Sequence, residues 1–386
     1  MIQSRLESFP TKAVPLWEVP VRTPDRPTIA DVAALAGVGT GTVSRVLNGG
    51  LHVSEATRQN VLEVIERLGY RPSHLAAALS RGTPRTVAIV VPHLTRPSTV
   101  ARLAGALAVL DQQGYDTIVC NADTPEQRDH HLAALTARHR ADGVMVVSVY
   151  LAKQHVAAFR RGPIPLVTVD TVAAGVPQTG IDDMAGGRLA TAHLLSLGHR
   201  RIGFVGDIVA RRAEDELGHA SSRRRMHGYR QALIGSGADL DPDLVRLGAH
   251  GPGVAAELAD ELLARPDPPT AIFAASDAQA VGVLSAAEQR GVDVPRELSV
   301  IGFDDIEAAA LLHLSTVHQP LERSGAEGAR RLCALLRGLP VRPLRQQLPL
   351  RVVQRASTGR LGQPTRLTPV GGLLGTGLSW GNKEVM

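Results

Sequence analysis

Most of the chain alternates between short apolar runs and longer stretches of helical character. From Thr86 the apolar runs read TVAIVV, DTIVCN, DGVMVV and IPLVTVD, and after His199 they read RIGFVGD, TAIFAAS and LSVIGFDD. Continuously apolar strands separated by helices are typical of parallel sheets with helical crossovers. Because the pattern extends over roughly 270 residues, we predict an α/β core of two doubly wound lobes rather than one sheet.

The segment from Thr28 to Asn48 predicts two short helices joined by a tight turn. Thr28 and Asp31 have the spacing of a capping box, and Gly37 can adopt the left-handed conformation that ends a helix. The second helix, from about Thr40 to Leu47, has no acidic residue. An ordinary helical hairpin fits the same periodicity. The glycine turn and the basic outer face favour a helix-turn-helix, whose second helix lies in the DNA major groove.

A third helix is expected to complete an all-α headpiece. Ser54 can cap it, and it is predicted to run from Glu55 to Leu68 and to end at Gly69. The residues predicted to face inward are Val61, Leu62, Ile65 and Leu68. The following segment, Ser73 to Ser80, is too short to form a stable helix alone in water.

The run AGVGTGTVSRVLN, Ala36 to Asn48, resembles the lactose/galactose repressor (LacI/GalR) family of bacterial transcription regulators. The resemblance extends to about Thr358, because further segments match in family order: IDDMAGGRLATAHLLSLGHRRIGFVG, RMHGY, SDAQAVG, VIGFDD and TVHQP. It implies a core similar to periplasmic sugar-binding proteins, with an effector bound between the lobes. It also implies a hinge that becomes helical on operator DNA, where Leu79 would enter the minor groove as an apolar wedge.

The predicted organisation has five segments. They are a flexible arm (1–26), a helix-turn-helix domain (27–71), a hinge (72–84), a two-lobed effector-binding and dimerisation domain (85–359) and a flexible tail (360–386). For the arm, a disordered tail and a phosphate-binding role through Lys12, Arg22 and Arg26 both stay open. The predicted DNA-binding residues are Thr28, Gly39, Thr40, Gly41, Thr42, Ser44, Arg45, Asn48 and Leu79.

Polar residues that follow the predicted strands are the candidates for an effector site, because open α/β sheets bind ligands at the carboxyl ends of their strands. An aspartate there can instead be a helix cap or turn residue, and residues 223–225 can be a solvated patch. The resemblance favours Arg225, Asp277 and Asp304 as effector contacts that form paired hydrogen bonds to sugar hydroxyls. The predicted effector-binding residues are Thr95, Asp170, Arg225, Asp277, Phe303 and Asp304.

One segment departs from the family pattern. Where the family often has Asp-Ile-x-Asn-Pro-Phe-Phe, this chain has HLTRPST, residues 93–99. The two missing aromatic residues usually contact the effector or shape its pocket. A sugar or sugar derivative remains the predicted effector class, but the segment does not favour a hexose.

Composition and motifs narrow the function classes. The net charge of +5 favours anionic partners only weakly. Cys120 and Cys333 match no metal-ligand spacing, which predicts a reducing compartment, no metal and no cofactor. The sequence contains no G-x-x-x-x-G-K-[ST] loop, G-x-S-x-G elbow or H-E-x-x-H pair, so we do not expect an enzyme.

A solute-binding protein of a transport system is the alternative, since it would share the two-lobe core. It would require a secretion signal, which the first residues do not resemble, and it has no use for a DNA-binding headpiece. The sequence contains no run of eighteen or more apolar residues, so it predicts no membrane span. We therefore expect a cytoplasmic, nucleoid-associated homodimer, or a higher oligomer, that binds palindromic double-stranded operator DNA and a carbohydrate-like effector.

Overall fold

The chain divides into an N-terminal unit and a larger C-terminal unit, with the boundary between Thr83 and Pro84. The computed structural model describes residues 27–47, 53–70, 86–137, 140–208, 220–238 and 240–362. The two terminal segments, the hinge, Asn48 and Leu79 lie outside these ranges.

The N-terminal unit contains three helices: α1 (Ile29–Ala36), α2 (Thr40–Leu47) and α3 (Glu55–Leu68). The predicted capping box is confirmed, because the Thr28 N–H donates to Asp31 Oδ2 at 2.7 Å and the Asp31 N–H donates to Thr28 Oγ1 at 3.4 Å. Gly37 ends α1 at a φ of 65°, in the left-handed conformation that glycine adopts without strain.

Small apolar side chains from all three helices form the core of this unit. Its buried members are Val32, Ala33, Ala36, Val43, Val46, Val61, Val64 and Tyr70. The prediction that Leu62 faces inward is wrong, since Leu62 is 44% exposed. Counting by three and four from Val61 reaches Val64 and Ile65, whereas Leu62 is rotated by about 100° from that face.

The first lobe of the C-terminal unit is built on a six-stranded sheet. Its strands are β1 (Thr86–Val91), β2 (Asp116–Asn121), β3 (Gly143–Val147), β4 (Leu166–Val169), β5 (Gln178–Gly180) and β11 (Arg345–Gln347). They lie in the order β2-β1-β3-β4-β5-β11, and every pair is parallel. The helices on its faces are α4 (Pro97–Gln112), α5 (Pro125–Ala137), α6 (Lys153–Arg161) and α12 (Leu321–Leu336).

The second lobe repeats this arrangement. Its strands are β6 (Ile202–Asp207), β7 (Val245–Gly248), β8 (Ala271–Ala274), β9 (Ser299–Asp304), β10 (Ser315–His318) and β12 (Arg351–Val353), in the order β7-β6-β8-β9-β10-β12. Only β12 runs antiparallel to its neighbour within this sheet. Its helices are α7 (Asp183–Ser196), α8 (Ala220–Gly235), α9 (Pro252–Leu263), α10 (Asp277–Gln289) and α11 (Glu307–Leu311).

Both sheets are buried on two faces, which explains why their central strands are apolar throughout. In β1, Val87 and Ile89 pack on one side while Ala88 and Val90 pack on the other. The prediction of two doubly wound lobes is therefore confirmed.

The chain passes between the lobes at three places in the part that the structure describes. The passages are β5 to α7, β10 to α12 and β11 to β12. As a result α12 packs on the first lobe, where Ala329 and Leu332 belong to its core, although the preceding strand belongs to the second lobe. Two of them, β5 to α7 and β10 to α12, place short connecting segments beside the cleft between the lobes.

Candidate functional site

The outer face of α2 is available for contact with a partner. Gly39, Thr40, Gly41 and Arg45 are exposed, whereas Thr42 and Ser44 are half-buried. Thr28 is exposed at the start of α1. A side chain at Gly39 or Gly41 would meet no described atom within 4 Å, so another surface can approach the backbone closely there. Small donors around one exposed arginine form a face that can enter a DNA groove.

A cleft of about 240 Å³ lies between the two lobes, at the carboxyl ends of their strands. Four non-glycine residues in its wall have a left-handed backbone: His93 (φ 46°), Ser148 (φ 52°), Asp170 (φ 52°) and Asp304 (φ 118°). Such conformations are costly for residues with a side chain, and they cluster at binding sites that the surrounding fold holds in place. The backbone therefore marks this strand edge as the candidate ligand site.

A chain of hydrogen bonds crosses the cleft from the first lobe to the second. Arg102, from α4, donates from Nε to Asp170 Oδ2 at 2.5 Å and from Nη2 to Gln319 Oε1 at 3.0 Å. Gln319 lies on the passage from β10 to α12, and its amide Nε2 donates to Asp304 Oδ1. One glutamine thus joins an arginine of one lobe to an aspartate of the other.

Arg225 continues this chain on the second lobe. Its Nε donates to Asp183 Oδ1 at 3.0 Å, and its Nη1 donates to the Ala275 carbonyl at 2.7 Å and to Asp304 Oδ1 at 3.5 Å. The guanidinium also stacks on the Phe303 ring. Asp183 is the first residue of α7, so its hydrogen bond with Arg225 also joins the β5–α7 passage to this chain of charged groups.

Burial raises the pKa of Asp304 and of Asp183, while the neighbouring arginines act in the opposite direction. Burial is the larger effect for both carboxyl groups because water is excluded from them. Arg225 therefore favours the ionised form of both carboxyl groups, and Arg102 favours that of Asp304.

A second polar group lines the cleft at the end of β6. Asp207 Oδ1 accepts a hydrogen bond from Gln279 Nε2 at 2.9 Å and lies 3.1 Å from His250 Nδ1. Ser276, the N-cap of α10, lines the cleft beside them. Together the two lobes present both donors and acceptors to a ligand, which suits a molecule with several hydroxyl groups.

Comparison with known proteins identifies this architecture. Residues 28–73 match the family described as "Bacterial regulatory proteins, lacI family", and residues 191–358 match "Periplasmic binding protein-like domain". The chain is 32% identical over 335 residues to catabolite control protein A of Priestia megaterium, covering 86% of this chain and 99% of that protein. It is 34% identical over 349 residues to the HTH-type transcriptional regulator CelR of Thermobifida fusca, covering 86% and 98%.

The chain belongs to the LacI family. A similar solved structure is the lac repressor dimer bound to operator and an anti-inducer, with a TM-score of 0.72, 26% identity and coverage of 86% and 99%. Another is the CelR–cellobiose complex, with a TM-score of 0.61, 32% identity and coverage of 86% and 100%. As a LacI-family member, this chain is a DNA-binding regulator of transcription and not an enzyme.

The cleft of this LacI-family chain contains three of the six residues predicted to bind an effector. Asp170, Arg225 and Asp304 line it. Thr95, Asp277 and Phe303 do not, because each is directed elsewhere by its local structure. Thr95 lies exposed in the turn before α4.

Asp277 and Phe303 lie behind the wall. Asp277 Oδ1 accepts from Thr316 Oγ1 at 2.6 Å, and Oδ2 accepts from the Ile306 N–H at 2.9 Å. Asp277 therefore holds the β9–α11 connection, and Ser276 rather than Asp277 caps α10. Phe303 is fully buried and supports Arg225 from below.

Sequence reasoning missed Arg102, Asp183 and Gln319. Arg102 had a detectable signal, since it occupies the buried stripe of α4 together with Thr99, Leu103 and Ala106. A charged residue on an apolar stripe requires a buried partner, which here is Asp170. Asp183 and Gln319 had no such signal, because their positions depend on where the chain passes between the lobes.

The described residues contain neither a candidate metal-binding group nor a helix that could span a membrane. In those ranges no group of three or more histidine, cysteine, aspartate or glutamate residues could hold a metal ion. No helix in the same ranges is long and apolar enough to cross a membrane.

Proposed function

We propose that this protein is a transcriptional repressor whose affinity for operator DNA is controlled by a small molecule bound in the cleft between the lobes. One observation carries the proposal: the hydrogen-bond chain from Asp170 through Gln319 to Arg225 joins both lobes at the cleft. A ligand that inserts there must contact or displace members of this chain. Its binding energy then depends on how the lobes are arranged.

The chemistry of the cleft supports a ligand with several hydroxyl groups. An aspartate and an arginine can each form two hydrogen bonds to neighbouring hydroxyls, and Asp170, Asp304 and Arg225 supply such groups from both lobes. Relatives bind ligands of this kind, since one solved structure is a CelR–cellobiose complex and another is a LacI-family regulator with bound ribose. We assign the effector contacts of this chain to Asp170, Arg225 and Asp304.

Operator reading is assigned to the headpiece, residues 27–71. Thr40, Gly41 and Arg45 would contact base edges, while Thr28, Gly39, Thr42, Ser44 and Asn48 would position the helices on the backbone. Two headpieces of a homodimer would read the two halves of a palindromic site. In the hinge, residues 72–84, Leu79 would enter the minor groove between the half-sites. Residues 85–359 would bind the effector and form the dimer, and the protein would act in the cytoplasm.

A ligand acts on DNA binding by shifting a population of lobe arrangements. The charged chain includes Gln319 and Asp183, which both lie on passages between the lobes. Closing or opening the cleft therefore changes bonds on those passages, and the lobes adjoining the hinge would set the spacing of the headpieces.

A solute-binding role in transport is the competing function, because the core alone is similar to a periplasmic binding protein. The headpiece distinguishes the two, since it matches the DNA-binding part of the family. A transport protein would bind the ligand equally well in the presence and absence of operator. A repressor would not, because coupling between two ligands is reciprocal.

The experiment begins with selection of operator sequences from random double-stranded DNA by the full-length protein. Neutral sugars and sugar derivatives are then screened by thermal shift, and each ligand that binds is added to the operator complex. Arg225→Lys, which preserves the charge, and Asp304→Asn, which preserves the size, should each abolish the response to ligand while operator affinity without ligand stays within a few-fold. Arg246→Lys is the control, because Arg246 is a half-buried, ion-paired arginine of the second lobe outside the cleft. An unchanged response in both cleft variants would refute the site.

A further inference from the structure

The cleft contains a cation that has no partner within the described residues. Arg96 precedes α4, and its side chain is half-buried in the cleft wall, where the guanidinium forms no hydrogen bond or ion pair with a described residue. Burial lowers the pKa of Arg96, and the carboxylates of Asp207, Asp123 and Asp304 act in the opposite direction. A partly desolvated guanidinium without a partner is unfavourable, and an anionic ligand would relieve that cost.

The carboxylates near Arg96 are engaged with other groups. Asp304 accepts from Gln319 and from Arg225. Asp207 accepts from Gln279 and faces His250, as described above. The third, Asp123, accepts from the His93 N–H and from Asn121 Nδ2, both at 2.8 Å. The three carboxylates thus interact with Arg96 electrostatically, but the Arg96 side chain forms an ion pair with none of them.

With Arg96 included, the cleft wall has one more arginine than it has aspartates. Among the described residues that line it are five arginines (Arg96, Arg102, Arg223, Arg224, Arg225) and four aspartates (Asp170, Asp183, Asp207, Asp304). Three helices also begin beside the cleft, since Ser98, Ser222 and Ser276 from the starts of α4, α8 and α10 line it. Helix N-termini carry partial positive charge and favour anions.

We propose that the effector is a polyhydroxylated anion, a sugar phosphate or a sugar acid, whose anionic group pairs with Arg96. Its hydroxyl groups would contact Asp170 and the Arg225–Asp304 pair. The inference rests on the proposed function, because it takes the cleft to be the effector site. It also accounts for the segment HLTRPST, in which an arginine and two small hydroxyl residues, Ser98 and Thr99, replace the amide and aromatics of the family pattern.

The test compares charged and neutral forms of the same sugars on the full-length protein. The probes are glucose, glucose 6-phosphate and gluconate, then ribose and ribose 5-phosphate, with inorganic phosphate as the bare anion at matched ionic strength. Calorimetric affinities and thermal shifts are measured for the wild type, for Arg96→Gln and for Arg161→Gln. Arg161 is an exposed arginine of the same lobe outside the cleft and serves as the matched control.

In the wild type and in Arg161→Gln, at least one charged probe should bind more tightly than its neutral parent. Arg96→Gln should lose about 10- to 100-fold of that affinity, the loss expected when one charge-assisted pair is removed. Affinity for neutral sugars should change less than about twofold, because they do not need the guanidinium. The phosphate and acid probes distinguish the two sources of negative charge.

Two outcomes would overturn the inference: no anionic probe binds more tightly than its neutral parent, or Arg96→Gln binds anions as the wild type does. The operator assay separates this failure from failure of the proposed function. If neutral sugars release operator from both the wild type and Arg96→Gln, the repressor function stands and the inference of an anionic effector is refuted. If anions bind through Arg96 without changing operator affinity, the anion site stands and the proposal that the cleft ligand controls DNA binding is refuted.

Discussion

The guanidinium carbon of Arg225 lies 3.6 Å from the centre of the Phe303 ring. The ring is fully buried, and a Cβ added at Gly186 would lie 2.5 Å from its Cε2 atom. The ring is therefore held between the α7 backbone and the arginine, and it cannot tilt away. Phe303 therefore acts as a platform that fixes the position of the Arg225 guanidinium in the cleft wall. This effect adds to the favourable cation–π contact between them.

Phe303→Leu should lower ligand affinity by about 1–2 kcal/mol, because the platform for Arg225 is removed. Thermal or urea unfolding should also show a loss of about 1–3 kcal/mol in stability, since a large buried ring is replaced. The control is Phe204→Leu, a fully buried ring of the same lobe that packs on Tyr229 and Phe273. It should lose similar stability but keep its ligand affinity. Equal loss of affinity in both variants would mean that stability alone is responsible.

Arg45→Ala should weaken binding to selected operators by about 1–3 kcal/mol, the contribution of one contact with a guanine edge. Arg45 is exposed on α2, and the described residues offer it no ion-pair partner, so its removal should not unfold the headpiece. Competition gel shifts with operator and random DNA measure both affinities. Arg67→Ala, on the exposed side of α3, is the control for loss of charge. Equal losses on both DNAs would refute a reading role.

Asp277 should make the stability of the protein depend on pH. Burial, followed by the charge of Asp304, raises the pKa of Asp277 from 3.8 to about 8. Because the folded protein holds this proton more tightly than the unfolded chain, the contribution of Asp277 is largest below pH 3.8 and is lost as the pH rises to about 8. The free energy of unfolding should therefore fall through this window, by at most about 1.4 kcal/mol per pH unit.

Asp277→Asn should flatten this pH dependence. An asparagine can still accept from the Ile306 N–H and can donate to Thr316 Oγ1, so both described hydrogen bonds of the side chain have a replacement. Urea unfolding across about pH 5 to about pH 8 compares the two slopes. Asp116→Asn, at an exposed position, is the control. A wild-type slope retained by Asp277→Asn would assign the titration to another group.

Gln319→Leu should uncouple the ligand from the operator. The variant removes the only described hydrogen-bond partner of Arg102 Nη2, and it breaks the contact with Asp304. We expect ligand affinity measured with and without operator to become more alike, with a coupling energy reduced by about 1–2 kcal/mol. Gln289→Leu, on the exposed end of α10, should keep the wild-type coupling. Full coupling in Gln319→Leu would exclude a role for this bridge.

The sequence predicts best those features that depend on local pattern. The apolar runs of β1, β3, β6, β8 and β9 are strands because they are buried on both sides, and that burial is visible in the residues themselves. In contrast, β5 (QTG) and β11 (RQQ) contain no apolar run. They are strands because of their neighbours: β5 pairs with β4, and β11 pairs with β5 at the edge of the first sheet.

The same distinction holds at the cleft. Asp170 and Asp304 could be predicted from their positions after strands, since the carboxyl ends of parallel strands share one edge. Phe303 and Asp277 are adjacent to such positions but point away, because alternate residues of a strand face opposite sides and the first turn of a helix turns inward. Gln319 becomes a site residue only through the passage between lobes, which no local pattern specifies.

The three passages between the lobes also affect synthesis of the protein. The first lobe takes α12 and β11 from residues 321–347, more than one hundred residues after β5. A nascent chain that has emerged as far as β10 still lacks the helix that covers β3 and β4 and the edge strand that pairs with β5. The first lobe therefore cannot close its core on the ribosome before most of the second lobe has been made, and the two lobes must complete their folding together.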